Sequence, residues 1–398
     1  MKNFKRVLAM TTAAVMAVTS FAGCSSNNAN SGNVGGSTNV AEGEKTIVIG
    51  GSGPLTGDAA QYGVGVKNAI QLAVNEVNAA GGVNGNKLKL VFEDDEADSG
   101  DKAVNAYNTL KDQGMQIFLG TVTTGSCLAV VDKSKQDNIF QFTPSASAQD
   151  VIANDNCFQI CFTDPNQGKA SADYIADNKV ATKIGVIYDS SDAYSSGIYN
   201  AFKTEASAKG LELVSEQSFT KDSKTDFSVQ LQKAKDAGAD MVFLPIYYTE
   251  ASLILTQANS MGYAPTFFGC DGLDGLLAVK NFDTKLADGV MLLTPFAADA
   301  DDEKTQAFVS AYKEAYGDTP NQFAADTYDA IYIMKAAAEK AGVTADMSVS
   351  DICDAMKTAM TEISYDGLTG EGMTWTADGE PDKAPKAVVI KDGAYTAM

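Results

Sequence analysis

The sequence predicts an α/β protein of two similar doubly wound lobes, each with a parallel sheet, joined by a hinge of several chain crossings with a cleft between them. Three observations lead there. The chain has 398 residues, long for one domain and comfortable for two. Short β-branched runs alternate with segments of helical period, the pattern of parallel sheets covered by helices on both faces. That alternation starts twice, once near residue 45 and again near residue 183.

Residues 45–50 (Lys-Thr-Ile-Val-Ile-Gly) form a β-branched run ending in glycine, expected to be a buried strand. From Val66 the apolar residues Ala69, Ile70, Ala73, Val74 and Val77 recur at three and four, giving a helix that the glycines of 81–85 stop. A strand follows at 88–92, a helix around Ala103, Tyr107 and Leu110, and strands at 117–119, 139–142 and 157–161. The second series has strands at 183–188, 211–214, 241–245 and 266–269, with helices at 196–208, 227–237 and 249–261. Then come a strand at 290–293, helices at 303–316 and 322–341, and extended pieces at 372–375 and 387–391 before an Asp392-Gly393 turn that reads as a hairpin. A chain that builds one lobe, then the other, then returns to each must cross between them several times. The expected division is 45–163 with 296–371 for lobe one and 164–295 with 372–398 for lobe two.

Composition narrows the chemistry. Forty-five per cent of residues are hydrophobic and 20% charged, so a packed core is expected. Thirty basic residues face 51 acidic ones, a net charge of −21 that argues against nucleic acid as a partner. Histidine is absent, which removes Ser-His-Asp and Cys-His catalysis, His-ligated zinc and His pH sensing together.

The first 44 residues read as an address. Lys2, Lys5 and Arg6 precede an apolar, small-residue run of 15 residues at 7–21, right for a secretory leader and too short to span a bilayer. It ends Phe21-Ala22-Gly23-Cys24, which resembles the bacterial lipobox, so residues 1–23 are expected to be a signal peptide and Cys24 the lipidated first residue. Residues 25–40 are nearly all Ser, Asn, Gly, Ala and Thr, a flexible tether. Removing 1–23 takes away the only arginine and leaves 27 bases against 51 acids, a net charge of −24. Any carboxylate this chain holds must then be met by backbone N–H groups, hydroxyls or Lys. Five cysteines remain, Cys127, Cys157, Cys161, Cys270 and Cys353, an odd number without a C-x-x-C pair, expected mostly as buried small hydrophobes.

The residues able to do chemistry cluster after strands. The segment 51–57 (Gly-Ser-Gly-Pro-Leu-Thr-Gly) lacks the dinucleotide spacing and any following Lys-Ser/Thr, so it reads as a turn at the carboxyl edge of a sheet, where ligands of open α/β folds sit. Residues 121–126 (Thr-Val-Thr-Thr-Gly-Ser) put hydroxyls and free N–H groups at a helix start, an anion site made without arginine, although the same hydroxyls also serve as N-caps. Residues 143–147, 189–194, 247–248 and 269–272 also follow strands, with Asp271 in Gly-Cys-Asp-Gly a candidate ammonium acceptor or a turn aspartate. Asp94 and Asp95 could act as paired acids, or form a solvated loop.

Several motifs in order carry a family resemblance. Residues 53–63 (Gly-Pro-Leu-Thr-Gly-x-x-Ala-x-Tyr-Gly), the helix ending at 75–85 (Asn-Glu-Val-Asn-Ala-Ala-Gly-Gly-Val-Asn-Gly), 92–95 (Phe-Glu-Asp-Asp) and 162–168 (Phe-Thr-Asp-Pro-Asn-Gln-Gly) resemble the substrate-binding proteins of branched-chain amino acid ABC transporters, which have the type I periplasmic-binding-protein fold. The resemblance spans about residues 46–389. It implies a protein without enzymatic activity or cofactor that captures an amino acid, most simply Leu, Ile or Val, by lobe closure. It further implies delivery to ABC permease subunits outside the cytoplasm, from a monomer anchored to the membrane's outer face through Cys24. The ligand carboxylate would meet Thr124, Gly125, Ala146 and Ser147. The ammonium would meet Asp271, where relatives often carry Glu, and Tyr62, Tyr194 and Tyr247 would close over the side chain. The family's cysteine pair in lobe one has no counterpart at 94–97. The same scaffold binding an amide, short peptide or aromatic acid, a sensory binding protein, and a surface-anchored α/β enzyme are the other readings the residues leave open.

Overall fold

The computed structural model describes residues 43–97 and 100–398. The expected leader at 1–23, Cys24 and nearly all of the tether lie outside the described residues. Within them no helix is long and apolar enough to cross a membrane.

Lobe one begins β1 (Thr46–Gly53), α1 (Ala60–Ala79), β2 (Lys87–Asp94), α2 (Gly100–Asp112), β3 (Ile117–Leu119), α3 (Thr124–Gln136), β4 (Phe140–Thr143) and β5 (Cys157–Gln159). The strands form one wholly parallel sheet in the order β2-β1-β3-β4-β5. The 157–161 run thus yields a strand of only three residues.

Lobe two runs α4 (Asp164–Asp177), β6 (Lys183–Asp189), α5 (Ala193–Lys209), β7 (Glu212–Phe219), α6 (Ser228–Asp236), β8 (Met241–Leu244), α7 (Tyr248–Ser260), β9 (Thr266–Gly269) and β10 (Met291–Thr294). The chain then returns to lobe one as α8 (Glu303–Tyr316), α9 (Gln322–Lys340) and α10 (Val349–Met360), and to lobe two as β11 (Lys386–Lys391) and β12 (Ala394–Ala397). The second sheet has the order β12-β11-β10-β9-β8-β6-β7. It is parallel except at the expected hairpin, where β11 pairs antiparallel with β10 and β12. The described chain crosses between lobes three times, after β5, after β10 and before β11.

One expected boundary is corrected. The stretch 373–383 packs on lobe one, not lobe two. The Trp375 indole N–H donates to the Gln159 carbonyl at 2.8 Å and its ring meets Phe142 edge-on at 6.0 Å. Gln159 N–H donates to the Gly379 carbonyl at 3.1 Å. Lys383, its side chain fully buried, pairs with Asp326 of α9 and donates to the Ile160 carbonyl. A buried indole and a buried ammonium both need partners, and only lobe one supplies them here.

Two glycines allow close approaches that shape the cleft. A Cβ on Gly63 would meet the Pro54 carbonyl oxygen at 2.0 Å, so only glycine lets α1 start against the loop after β1 and carry Tyr62 into the cleft. On Gly168 it would meet the Ile198 oxygen at 2.4 Å, so α4 can lie close against α5. All five cysteines of the folded body are buried and unpaired.

Candidate functional site

In each sheet the strand order reverses next to the lobe's first strand, between β1 and β3 and between β6 and β8. Crevices at the carboxyl ends of such strands are where open α/β sheets hold ligands. The loops after those strands converge here. Tyr62, Val122, Thr123, Thr124 and Ser145 come from lobe one with Phe323 of α9, and Tyr194, Tyr247, Asp271 and Gly272 come from lobe two. Together they line a small cavity of about 10 Å³, little more than room for one water, that is partly open to solvent.

Lobe two's wall is built around a buried carboxylate. Asp271 is 3% exposed. It accepts hydrogen bonds from the Tyr194 hydroxyl at 2.6 Å and the Gln167 side-chain amide at 3.0 Å, while its own N–H donates to the Gln167 side-chain oxygen at 3.3 Å. Among the described residues no ammonium or guanidinium pairs with it. Burial therefore pushes its carboxyl up to about 7, despite these hydrogen bonds, and the negative Asp326 adds to the rise. Tyr194 is held in turn by the Gly272 N–H at 2.9 Å and stacks on Tyr247 with ring centroids 5.0 Å apart. Behind them Asp164, at the start of α4, is buried with neither carboxylate oxygen hydrogen-bonded, and burial raises its carboxyl well above the usual range.

Lobe one's wall is neutral. Thr123 stands at the N-cap of α3, whose first-turn N–H groups have no intrahelical acceptors and face an incoming anion favourably. The Thr124 hydroxyl accepts from Ser147 N–H at 3.1 Å, which leaves its hydrogen to donate. Ser145 donates to the Val122 carbonyl at 2.6 Å.

Five expected residues meet at the cavity: Tyr62, Thr124, Tyr194, Tyr247 and Asp271. Three sit elsewhere. Ala146 does not line it, because its N–H is taken by the Thr143 hydroxyl at 3.0 Å and its methyl packs with Cys127, Val131 and Val151. Ser145, one residue earlier, lines the cavity in its place. Ser147 spends its N–H on Thr124 and lies behind it, its buried hydroxyl unpartnered. Gly125 is exposed in the first turn of α3, outside the lining. Sequence reasoning missed Gln167 and Phe323, although Gln167 lies inside the motif at 162–168.

The lobes touch across the cleft. The Tyr62 hydroxyl donates to the Gly272 carbonyl at 2.5 Å, and Tyr62 packs against Tyr247, Tyr248 and Phe323. At the outer lip, Lys224 lies 2.7 Å from Asp58 and 3.3 Å from Glu250, and the Thr249 hydroxyl donates to the Asp58 carbonyl at 2.7 Å.

A family model described as periplasmic binding protein matches residues 46–394. A Leu/Ile/Val-binding protein homolog of Brucella melitensis is 33% identical over 310 residues, covering 75% of this chain and 80% of that one. A leucine-, isoleucine-, valine-, threonine- and alanine-binding protein of Pseudomonas aeruginosa is 29% identical over 75% of this chain and 79% of its own. Among solved structures, the branched-chain amino acid transporter substrate-binding protein LivJ of Streptococcus pneumoniae, in complex with isoleucine, superposes with a TM-score of 0.80 at 27% identity, covering 89% of this chain and 99% of that one. A benzoate-bound solute-binding protein of R. palustris shares the fold with a TM-score of 0.78 at 21% identity, covering 89% of this chain and 95% of that one.

Proposed function

Since the chain belongs to the periplasmic-binding-protein family, we propose that it captures an amino acid outside the cytoplasm, with Leu, Ile and Val the best-fitting class, and delivers it to an ABC importer. The observation that carries this reading is Asp271, a buried carboxylate without a cation, opposite a neutral wall of hydroxyls and helix N–H groups. A zwitterion complements both walls at once. Its ammonium pairs with Asp271, and its carboxylate takes the Thr124 hydroxyl and the first turn of α3. Tyr62, Tyr194, Tyr247, Val122 and Phe323 surround an apolar side chain. No bond is made or broken. Closure replaces the hydration of both charges by fixed partners, and the closed state is selected because only there do both ends bind. An aromatic acid lacks the ammonium and leaves Asp271 unpaired, which disfavours that class. Anchoring through Cys24 and action as a monomer belong to the same proposal.

A thermal-shift screen of the full chain against the amino acids, their amides and aromatic acids tests it, because a ligand that binds only the folded state raises Tm. Shifts led by Leu, Ile and Val support the reading. Shifts from benzoate-like acids with none from amino acids overturn it.

A further inference from the structure

Gln322 opens α9 and is 1% exposed, yet its bonds do not serve that helix. The helix is already capped by Asn321, whose side chain accepts from Ala324 N–H at 2.9 Å. Gln322 instead joins three separate pieces of chain. Its side-chain oxygen accepts from the Thr294 hydroxyl at 3.1 Å, and Thr294 ends β10 where the chain leaves lobe two. Its side-chain N–H donates to the main-chain oxygen of Asp271 at 2.8 Å. Its own main-chain N–H donates to the Asp274 carboxylate at 2.7 Å. Lobe one thus holds the Asp271–Leu273 turn through the main-chain oxygens of Asp271 and Gly272, while lobe two's Tyr194 and Gln167 hold the carboxylate and the N–H groups of the same two residues.

We infer that Gln322 is a positioning residue that couples the crossing at 294–296 to the Asp271 turn, so that lobe closure and the orientation of the ammonium acceptor form one event. The inference rests on Asp271 being that acceptor. A neutral amide suits the role because it accepts and donates at once. A glutamate has no hydrogen for the Asp271 oxygen, and an apolar residue leaves each end bonded only within its own segment, the Asp271 oxygen to the Asp274 N–H and the Thr294 hydroxyl to Phe296, with no link between the two.

The test is Gln322→Met in the full chain, which keeps length and shape but removes both side-chain bonds. Two quantities are read: hydrogen exchange at the amides of Gly272, Leu273 and Asp274, and release of radiolabelled L-leucine. Exchange there is expected to quicken about tenfold or more with β6 and β7 unchanged. Leucine release should quicken about tenfold with capture altered less than about threefold. A purely structural role would instead loosen the lobe at large. Thr294→Val removes the hydroxyl that anchors the amide together with that hydroxyl's bonds to the Phe296 N–H and carbonyl; it should shift both readings the same way, and unchanged readings there overturn the inference if the methionine variant does not fold. Unchanged exchange and release overturn the inference. If the unmodified protein does not bind leucine, the amino-acid reading falls, and local exchange at 272–274 alone still upholds or overturns the coupling.

Discussion

On lobe one the cleft wall is neutral, made of Thr123, Thr124, Ser145 and the start of α3. On lobe two it is acidic, with Asp271 at the surface of the cavity and Asp164 and Asp192 behind it. The neutral wall needs no counter-ion, because hydroxyls and oriented N–H groups cost little to keep near water and gain when an anion arrives. The acidic wall is strained electrostatically until a cation arrives, as the rise of Asp271 to about 7 records. The two ends of a zwitterion therefore differ in weight. The ammonium relieves an existing penalty, while the carboxylate adds a modest one-sided gain. A chain with neither arginine nor histidine in its folded body is confined to this asymmetric solution.

The comparison breaks most sharply at Asp271→Asn, which keeps shape and removes charge. Leucine binding, measured by titration calorimetry, should weaken by about 3 kcal/mol or more, the scale of breaking a buried ion pair. A loss under about tenfold would mean the ammonium is received elsewhere, with Asp164 the next group to examine.

Acidity tests the same wall without mutation. The folded carboxyl of Asp271 titrates at about 7, above its ordinary value in an unfolded chain. The ligand-free fold therefore binds a proton that the unfolded chain does not, and gains stability as pH falls from about 7 toward 4. The same proton competes with the ammonium, so leucine affinity should fall by up to about tenfold per unit below pH 7. Asp95, also raised to about 7, and Asp192, Asp274 and Asp329, raised to about 6, add to the stability trend. The share of Asp271 is read as the difference between unmodified protein and Asp271→Asn in melts from pH 5 to 8. Equal slopes for the two proteins would mean that Asp271 contributes nothing to the trend.

The neutral wall should respond less. Thr124→Val removes one donor to the carboxylate and the acceptor of Ser147 N–H, and is expected to cost about 1–2 kcal/mol of leucine binding. A cost matching that of Asp271→Asn would erase the asymmetry. Smallest is the lip. Lys224→Met removes an ion pair with the exposed Asp58 and one with Glu250, 8% exposed, so its effect on affinity should be about 1 kcal/mol and be weakened by salt only in part.

Much of this arrangement could be read from residue order. The runs at 45–50, 117–119, 183–188 and 241–245 fall on β1, β3, β6 and β8, because parallel strands buried on both faces must be continuously apolar. Helix α10 is equally legible, since Val349, Ile352, Cys353, Met356 and Met360 keep helical spacing. Other features leave no local trace. Which of Ser145 and Ala146 turns into the cleft depends on Thr143 capturing one N–H, a matter of loop direction and not of pattern. Gln167 and Gln322 reach Asp271 from 104 and 51 residues away, and a neutral amide looks alike on a surface and in a site. The 373–383 stretch reads as short extended pieces, and only the partners of Trp375 and Lys383 assign it to lobe one.

The three crossings also bear on how the chain is made. Lobe one's core includes Phe323, Ile352, Met356, Met373 and Trp375, and the second sheet ends in β11 and β12 at Lys386–Lys391 and Ala394–Ala397. Neither lobe is finished by a continuous stretch of early chain: a polypeptide growing from its N-terminus lacks partners for lobe one's core until Met373 and Trp375 appear, and for lobe two's sheet until its final strands. Such long-range closure is slow and comes late. It leaves exposed, through most of synthesis, the apolar faces that only the last quarter of the chain covers.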